Sequence, residues 1–123
     1  MIRALFRHAV EIVSFRLQGR DSQWPKVRAA WIELHPKCAA CGGSANLNVH
    51  HIKPFHVRPD LELDADNLIT LCEDKRCHFI WGHLNTSWQT FNKAVRNDTA
   101  AWLKKVKAAK MPAKIADTNT PPA

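Results

Sequence analysis

Four cysteines in two close pairs constrain the fold more than any other feature of the chain. Two residues separate Cys38 from Cys41, four separate Cys72 from Cys77, and 30 residues lie between the pairs. This spacing is typical of a structural zinc site with four thiolate ligands, and the alternatives are two disulfides or buried free thiols. The sequence therefore predicts a bound Zn²⁺ that ties two distant segments together and contributes directly to folding.

The length and the N-terminal residues bear on the choice between zinc and disulfides. A chain of 123 residues predicts one domain with a small core, and small cores are often reinforced by a metal or by disulfides. Arg7, Glu11 and Arg16 interrupt the N-terminal apolar stretches, so we expect neither an export signal nor a membrane-spanning helix. A protein that stays in the cytoplasm keeps its thiols reduced, which favours zinc.

The formal net charge of +7 is concentrated towards the two ends of the sequence. Six basic and two acidic residues lie in the first 28 positions, and seven basic residues and one acidic residue lie between positions 93 and 114. Residues 60–66, in contrast, contain four acids and no base. Basic ends of this kind suit a polyanionic partner such as nucleic acid, although a solvated basic surface is the alternative.

Apolar periodicity and helix-breaking residues predict helices on both sides of a pair of strands. Ser22 and Pro25 mark the start of the second helix, and Pro36 ends it, because the residue before a proline avoids the helical region. The predicted elements are helices at 2–18, at about 22–35, at 76–84 and from residue 97 or 98 onwards, strands at 47–52 and 67–72, a loop at 53–66, and a disordered tail at 111–123.

Two of these helices carry apolar residues at helical spacing, which predicts one apolar face on each. Val27, Trp31 and Leu34 form the face of the second helix. In the last helix, four residues lie on or near one face: Ala101, Trp102, Val106 and Ala109.

Several histidines lie between the two cysteine pairs or shortly after Cys77. His50 and His51 are adjacent in a predicted strand, Asn67 precedes the second strand, and His78 follows Cys77 directly. Adjacent side chains on a regular strand point to opposite faces. The histidine pair therefore indicates either one idle ring, or a bend at the strand end that brings both rings to one place in different roles.

The segments CAACGG, VHHIKPFH, DNLITLC and CHFIWGH, in this order, resemble the HNH endonucleases. The resemblance covers about residues 36–84 and is to the form in which a four-cysteine zinc site supports the ββα-metal motif; it is strongest to small HNH proteins of phages and prophages. It implies an α+β fold with a zinc-braced ββα-metal (His-Me finger) core. The predicted N- and C-terminal helices lie outside the motif and flank this core, and we expect a single nuclease domain at 1–110. The resemblance further implies a metal-dependent enzyme that cuts DNA in a bacterial or phage-infected cell, with phage packaging proteins as further partners.

The resemblance also implies a role for each matching polar residue. His50 and His78 would bind the catalytic metal, His51 would be the general base, and Asn67 would hold the loop and the base in place. The chemistry agrees with the division between the two histidines, because a base must be neutral to accept a proton and a metal-bound imidazole has no free lone pair.

His83 departs from the family pattern, because some relatives carry two helix histidines four residues apart. Here Gly82 occupies that position, and His83 follows His78 by five residues. On a regular α-helix, five residues leave two side chains about 140° apart, so both could not reach one ion. We therefore expect a site of His50 and His78 for Mg²⁺ or Mn²⁺, which keep water ligands, and His83 as a ligand only if the helix bends or ends near Gly82.

Basic residues near the motif and in the last helix are the predicted DNA contacts, which would position phosphates without reading sequence. These are Lys53, Lys104, Lys105 and Lys107, and His56 could be either a DNA contact or a plain surface residue. The alternative function is a non-catalytic, zinc-braced nucleic-acid-binding module or packaging adaptor. That alternative does not account for the histidine pair, Asn67 and His78 occurring together.

Overall fold

The computed structural model describes residues 20–110. The helix predicted at 2–18 and the disordered tail predicted at 111–123 lie outside the described residues, so both stay predictions. The fold is α+β, as predicted: one antiparallel two-stranded sheet with helices before and after it. Within residues 20–110, no helix is long and apolar enough to cross a membrane.

The sheet consists of β1 (Leu47–His51) and β2 (Leu68–Cys72), and both predicted strands are confirmed. Val49 pairs with Thr70, and His51 pairs with Leu68. All five residues of β2 are buried, as is the second half of β1. The loop between the strands contains two short 3₁₀ turns, Pro59–Leu61 and Ala65–Asn67.

Helix α1 (Trp24–Leu34) agrees with the prediction in its position. It has a proline in its first turn, where no backbone donor is needed, and it ends two residues before Pro36. The Trp31 indole donates to Thr70 Oγ1 at 3.0 Å and connects the helix to β2. Leu34, at the C-terminal end of the predicted apolar face, is 75% exposed, so the described residues do not cover it.

The helix predicted at 76–84 is confirmed in place but is shorter and of a different type. It is a π-helix over His78–Gly82, in which the turn is wider than in an α-helix. Single turns of this kind occur frequently at functional sites.

Helix α2 (Val95–Ala109) begins two or three residues before the predicted start at residue 97 or 98. Val95 and Thr99 are its buried residues, and Trp102 and Val106 line a cavity beside the cysteines. Ala101 and Ala109, predicted on or near the same face as Trp102 and Val106, are exposed.

The core is built around the four cysteines. It contains Ile69 and Leu71 of β2, Val95 of α2, and Ala40 and Ile52 from the segments next to β1. These buried apolar side chains come from β2, from α2 and from the segments on either side of β1, so the cysteine cluster lies where these parts meet.

Candidate active site and metal centres

The four cysteines come together in one buried cluster. Their Sγ atoms all lie within 4.8 Å of one another, and the Sγ atoms of Cys41 and Cys72 are 3.6 Å apart. A disulfide needs about 2.05 Å, whereas two thiolates on a tetrahedral zinc ion are separated by about 3.8 Å. All four thiols are free, which excludes the alternative of two disulfides in this structure. The donor set and its spacing fit a structural Zn²⁺.

Backbone geometry around Cys38 and Cys41 also fits a zinc site. Gly42 has φ +75°, which a residue without a Cβ adopts without strain. The turn lets the Gly43 amide donate to Cys41 Sγ at 3.4 Å, while the Cys72 amide donates to Cys38 Sγ at 3.4 Å. Amide donors of this kind stabilise thiolate sulfur, which burial alone disfavours: burial raises the pKa of Cys41 and that of Cys77.

A second cluster contains three imidazoles, and it includes His83. His78 Nε2 lies 3.0 Å from His50 Nδ1 and 3.2 Å from His83 Nε2. The expected separation of His78 and His83 is wrong because it assumed a regular α-helix. The wider π-helical turn over His78–Gly82 brings residues five positions apart to the same side.

Hydrogen bonds to the outer nitrogens determine which nitrogens face the centre of this cluster. The Glu73 carboxylate accepts from His78 Nδ1 at 2.6 Å, and the Thr90 carbonyl accepts from His83 Nδ1 at 2.7 Å. Both Nε2 atoms therefore present lone pairs to each other. A single proton could bridge only two of the three central nitrogens, whereas one metal ion can accept a lone pair from all three. Nitrogens bound to one ion at about 2.1 Å lie about 3.0–3.4 Å apart, so the observed spacing fits a metal.

Glu73 was not predicted as a site residue, and its carboxylate accepts the hydrogen bond from His78. Burial alone would raise the pKa of the Glu73 carboxyl, but hydrogen bonds from Asn48 and His78 outweigh this effect and lower it. An ionised carboxylate behind a ligating histidine fixes its tautomer and increases its basicity.

His50 is the most buried of the three imidazoles, with 3% of its surface exposed. Burial, followed by the nearby His78 and His83, lowers the pKa of His50 to about 3, so the ring stays neutral. Its Nε2 is buried and has no hydrogen-bond partner among the described residues. A Cβ on Gly82 would meet this ring at 2.9 Å, so the glycine makes room for His50.

His51 lies beside the cluster but is held differently. Its Nε2 is 2.9 Å from the Glu62 carbonyl, which can only accept, so Nε2 carries the proton and Nδ1 has the free lone pair. The Trp24 ring packs against the imidazole at a centroid distance of 4.4 Å. Burial, and then the charge of Arg20, lowers the pKa of His51 to about 4, so the imidazole is neutral at pH 7.

Glu62, whose carbonyl accepts from His51, is held in place by an ion pair and a hydrogen bond at its carboxylate. Glu62 is 1% exposed, and its carboxylate accepts from the Arg20 side chain and, at 2.7 Å, from the Asp21 amide. A buried carboxylate is stable only when it is paired and hydrogen-bonded in this way. The contact therefore connects the segment before α1 to the backbone carbonyl that orients His51.

Asn67 bridges the two ends of the loop between the strands. Its Oδ1 accepts from the Lys53 amide at 2.8 Å, and its Nδ2 donates to the carbonyls of Lys53 and Leu61 at 3.0 and 3.2 Å. Leu61 immediately precedes Glu62, so these bonds also restrain the carbonyl that holds His51.

One cavity of about 330 Å³ is lined by the four histidines described above, which are His50, His51, His78 and His83. The basic residues on its wall are Arg20, Arg28 and the sequence-predicted candidate His56. The predicted DNA contacts Lys53, Lys104, Lys105 and Lys107 are exposed and are not among the residues that line it. The sequence had shown Arg20 and Arg28 only as part of the basic N-terminal charge.

Comparison with known protein families adds an independent observation. The family model for HNH endonuclease matches residues 38–79, which include both cysteine pairs, His50, His51 and His78. Residues 38–79 are therefore similar to the HNH endonuclease family. His83 lies beyond the matched residues, so its place beside His78 comes from the structure alone. Neither the curated proteins nor the solved structures gave a match.

Proposed function

We propose that this HNH protein is a metal-dependent endonuclease that hydrolyses phosphodiester bonds of DNA. The observation that carries the proposal is the cavity in which His51, neutral and with Nδ1 free, lies next to a cluster of three imidazoles. His51 can accept a proton, and the three imidazoles can bind a cation. Metal-dependent hydrolysis of a phosphodiester requires both a general base and a bound cation.

The catalytic ion would be held by His50 Nδ1, His78 Nε2 and His83 Nε2. Such an ion supplies Lewis-acid stabilisation of the negative charge that develops on phosphate oxygens and on the leaving oxygen. Three imidazoles without a carboxylate favour Mn²⁺ over Mg²⁺, because Mg²⁺ prefers oxygen ligands.

The protein's own side chains would carry the proton transfer and hold the substrate. His51 Nδ1 accepts a proton from water, the water oxygen bonds to phosphorus, and the P–O3′ bond breaks with its electron pair on O3′. O3′ then takes a proton from a solvent water, which leaves a 3′-hydroxyl and a 5′-phosphate. The Glu62 carbonyl keeps the His51 ring in position throughout. Arg20 and Arg28, on the cavity wall, are placed to bind phosphate oxygens.

The lysines predicted as DNA contacts are also part of the proposal. Lys53, Lys104, Lys105 and Lys107 would bind more distant phosphates, since all four are exposed. A phage or prophage setting, with packaging proteins as partners, follows from the family resemblance. The non-catalytic alternative needs only the zinc site and the basic ends, and would have no use for an oriented neutral His51.

Cleavage of supercoiled plasmid DNA tests the proposal. The zinc-loaded protein should nick or linearise the plasmid with Mn²⁺ or Mg²⁺, and EDTA should stop the reaction. His51→Ala should lower the rate by about 10²–10⁴-fold without changing Mn²⁺ affinity, because a general base contributes that much. The control is His35→Ala, which removes an exposed histidine that lies beside Trp31. Cleavage by His51→Ala at the wild-type rate would contradict the assignment.

A further inference from the structure

An exposed strip of aromatic and basic side chains lies beside the histidine cluster. Trp88 follows the π-helix, and its ring centroid is 4.8 Å from that of His83 and 5.3 Å from that of His78. Phe79 packs on Trp88 at 4.8 Å, and the Arg76 guanidinium lies 5.3 Å from the Phe79 centroid. We call Arg76, Phe79 and Trp88 the aromatic ledge.

Trp88 is 56% exposed, and the histidines beside it do not depend on it for their orientation. Glu73 and Thr90 already hold His78 and His83 through hydrogen bonds at their Nδ1 atoms. The ring therefore leaves a large apolar surface in water next to a polar cavity. A single exposed apolar residue is unremarkable by itself. Trp88, however, packs on Phe79, which in turn contacts the Arg76 guanidinium, directly beside the histidine cluster. This continuous surface indicates a site for a ligand.

The chemistry of the aromatic ledge matches a nucleotide. Bases stack on aromatic side chains whatever their identity, and a guanidinium can both bind phosphate and stack. In a closed duplex, neighbouring bases cover both faces of each base, so stacking on Trp88 would first require unstacking. An unpaired base has no such requirement.

We infer that the aromatic ledge stacks an unpaired base next to the phosphate that is cut. The protein then prefers DNA with single-stranded nucleotides at the cleavage position over closed duplex. This inference rests on the proposed nuclease function, because the histidine cluster beside Trp88 is where the phosphate would bind.

Binding measured without cleavage tests the aromatic ledge directly. A fluorescently labelled single-stranded DNA and the closed duplex of the same sequence are titrated with protein carrying His51→Ala, and anisotropy is recorded. Adding Trp88→Ala should weaken single-strand binding by about 5- to 100-fold and leave duplex binding unchanged. Trp88→Phe should retain most of the affinity. Trp102→Ala is the matched control, since Trp102 is 40% exposed but lines a separate cavity beside Cys41 and Cys77.

Cleavage and metal binding separate the possible outcomes. Protein with intact His51 should cut a duplex containing a short unpaired stretch faster than the closed duplex, and Trp88→Ala should remove this preference. Equal single-strand affinity with and without Trp88 would overturn the inference. So would a loss of Mn²⁺ affinity in Trp88→Ala, because the ring would then act through the histidines. If Trp88-dependent single-strand binding occurs but no DNA is ever cut, the aromatic ledge stands and the nuclease proposal fails.

Discussion

Replacing His83 with alanine tests the three-histidine arrangement most directly. His83 Nε2 lies 3.2 Å from His78 Nε2, close enough to share one ion. Losing a residue that merely orients a metal ligand typically costs about 10–100-fold in affinity. Removing one of three direct ligands should therefore weaken Mn²⁺ binding by at least about 100-fold, or about 2.7 kcal/mol. Titration of the zinc-loaded protein with Mn²⁺, followed by electron paramagnetic resonance of the free ion, measures this change.

Two further variants make the result decisive. His78→Ala should lose as much Mn²⁺ affinity as His83→Ala, while His35→Ala, which removes an exposed histidine elsewhere, should bind like the wild type. Excess Mn²⁺ should partly restore plasmid cleavage in both ligand variants. If His83→Ala binds Mn²⁺ normally and His78→Ala does not, the site has only two histidine ligands, and the wider π-helical turn does not bring a third ligand to the metal.

Three other predictions concern the residues that support the two centres. Glu73→Gln should lower Mn²⁺ affinity by about 10–100-fold, whereas Asp74→Asn, which changes the neighbouring exposed acid, should not. Glu62→Gln removes the charge that pairs with Arg20; turnover measured by plasmid cleavage should fall by up to about 100-fold through misplacement of the base, with Mn²⁺ affinity retained. Cys72→Ser should lose the Zn²⁺ found by elemental analysis and should unfold at a lower temperature by circular dichroism, and a zinc-free wild type with the same melting temperature would contradict the structural role.

Most of the fold could be predicted because its signals are local in the sequence. The spacing of the cysteine pairs indicates a four-thiolate site whatever the rest of the chain does. The two strands are short branched and apolar runs bounded by turn residues, and Pro25 and Pro36 bracket the first long helix that the structure describes. Leu34, which is exposed, shows what this reasoning leaves open: helical spacing identifies a face, but only tertiary structure decides whether a partner covers it.

The site could be predicted only in part, because its supporting residues depend on contacts between distant segments. Helical periodicity places His83 away from His78, and nothing in the local sequence indicates a π-helix. Residues outside the π-helix also contact it. The backbone amide of Asn92, for example, donates to the Gly82 carbonyl at 2.9 Å. Glu62 likewise appears in the sequence as one acid of an acidic loop, and its pairing with Arg20 spans 42 positions.

The zinc cluster and the histidine cluster are coupled by the order of residues in the chain. Cys72 is followed by Glu73, and Cys77 is followed by His78. The two cysteines therefore fix both ends of the segment in which a carboxylate orients an imidazole at 2.6 Å. Loss of Zn²⁺ would release both ends together, and the pairing of Glu73 with His78 would lose its geometry even where the sheet persists. We therefore expect gradual removal of zinc to abolish high-affinity Mn²⁺ binding at a chelator concentration below that which unfolds the protein. Simultaneous loss of Mn²⁺ binding and of secondary structure would show instead that zinc acts only on the fold as a whole.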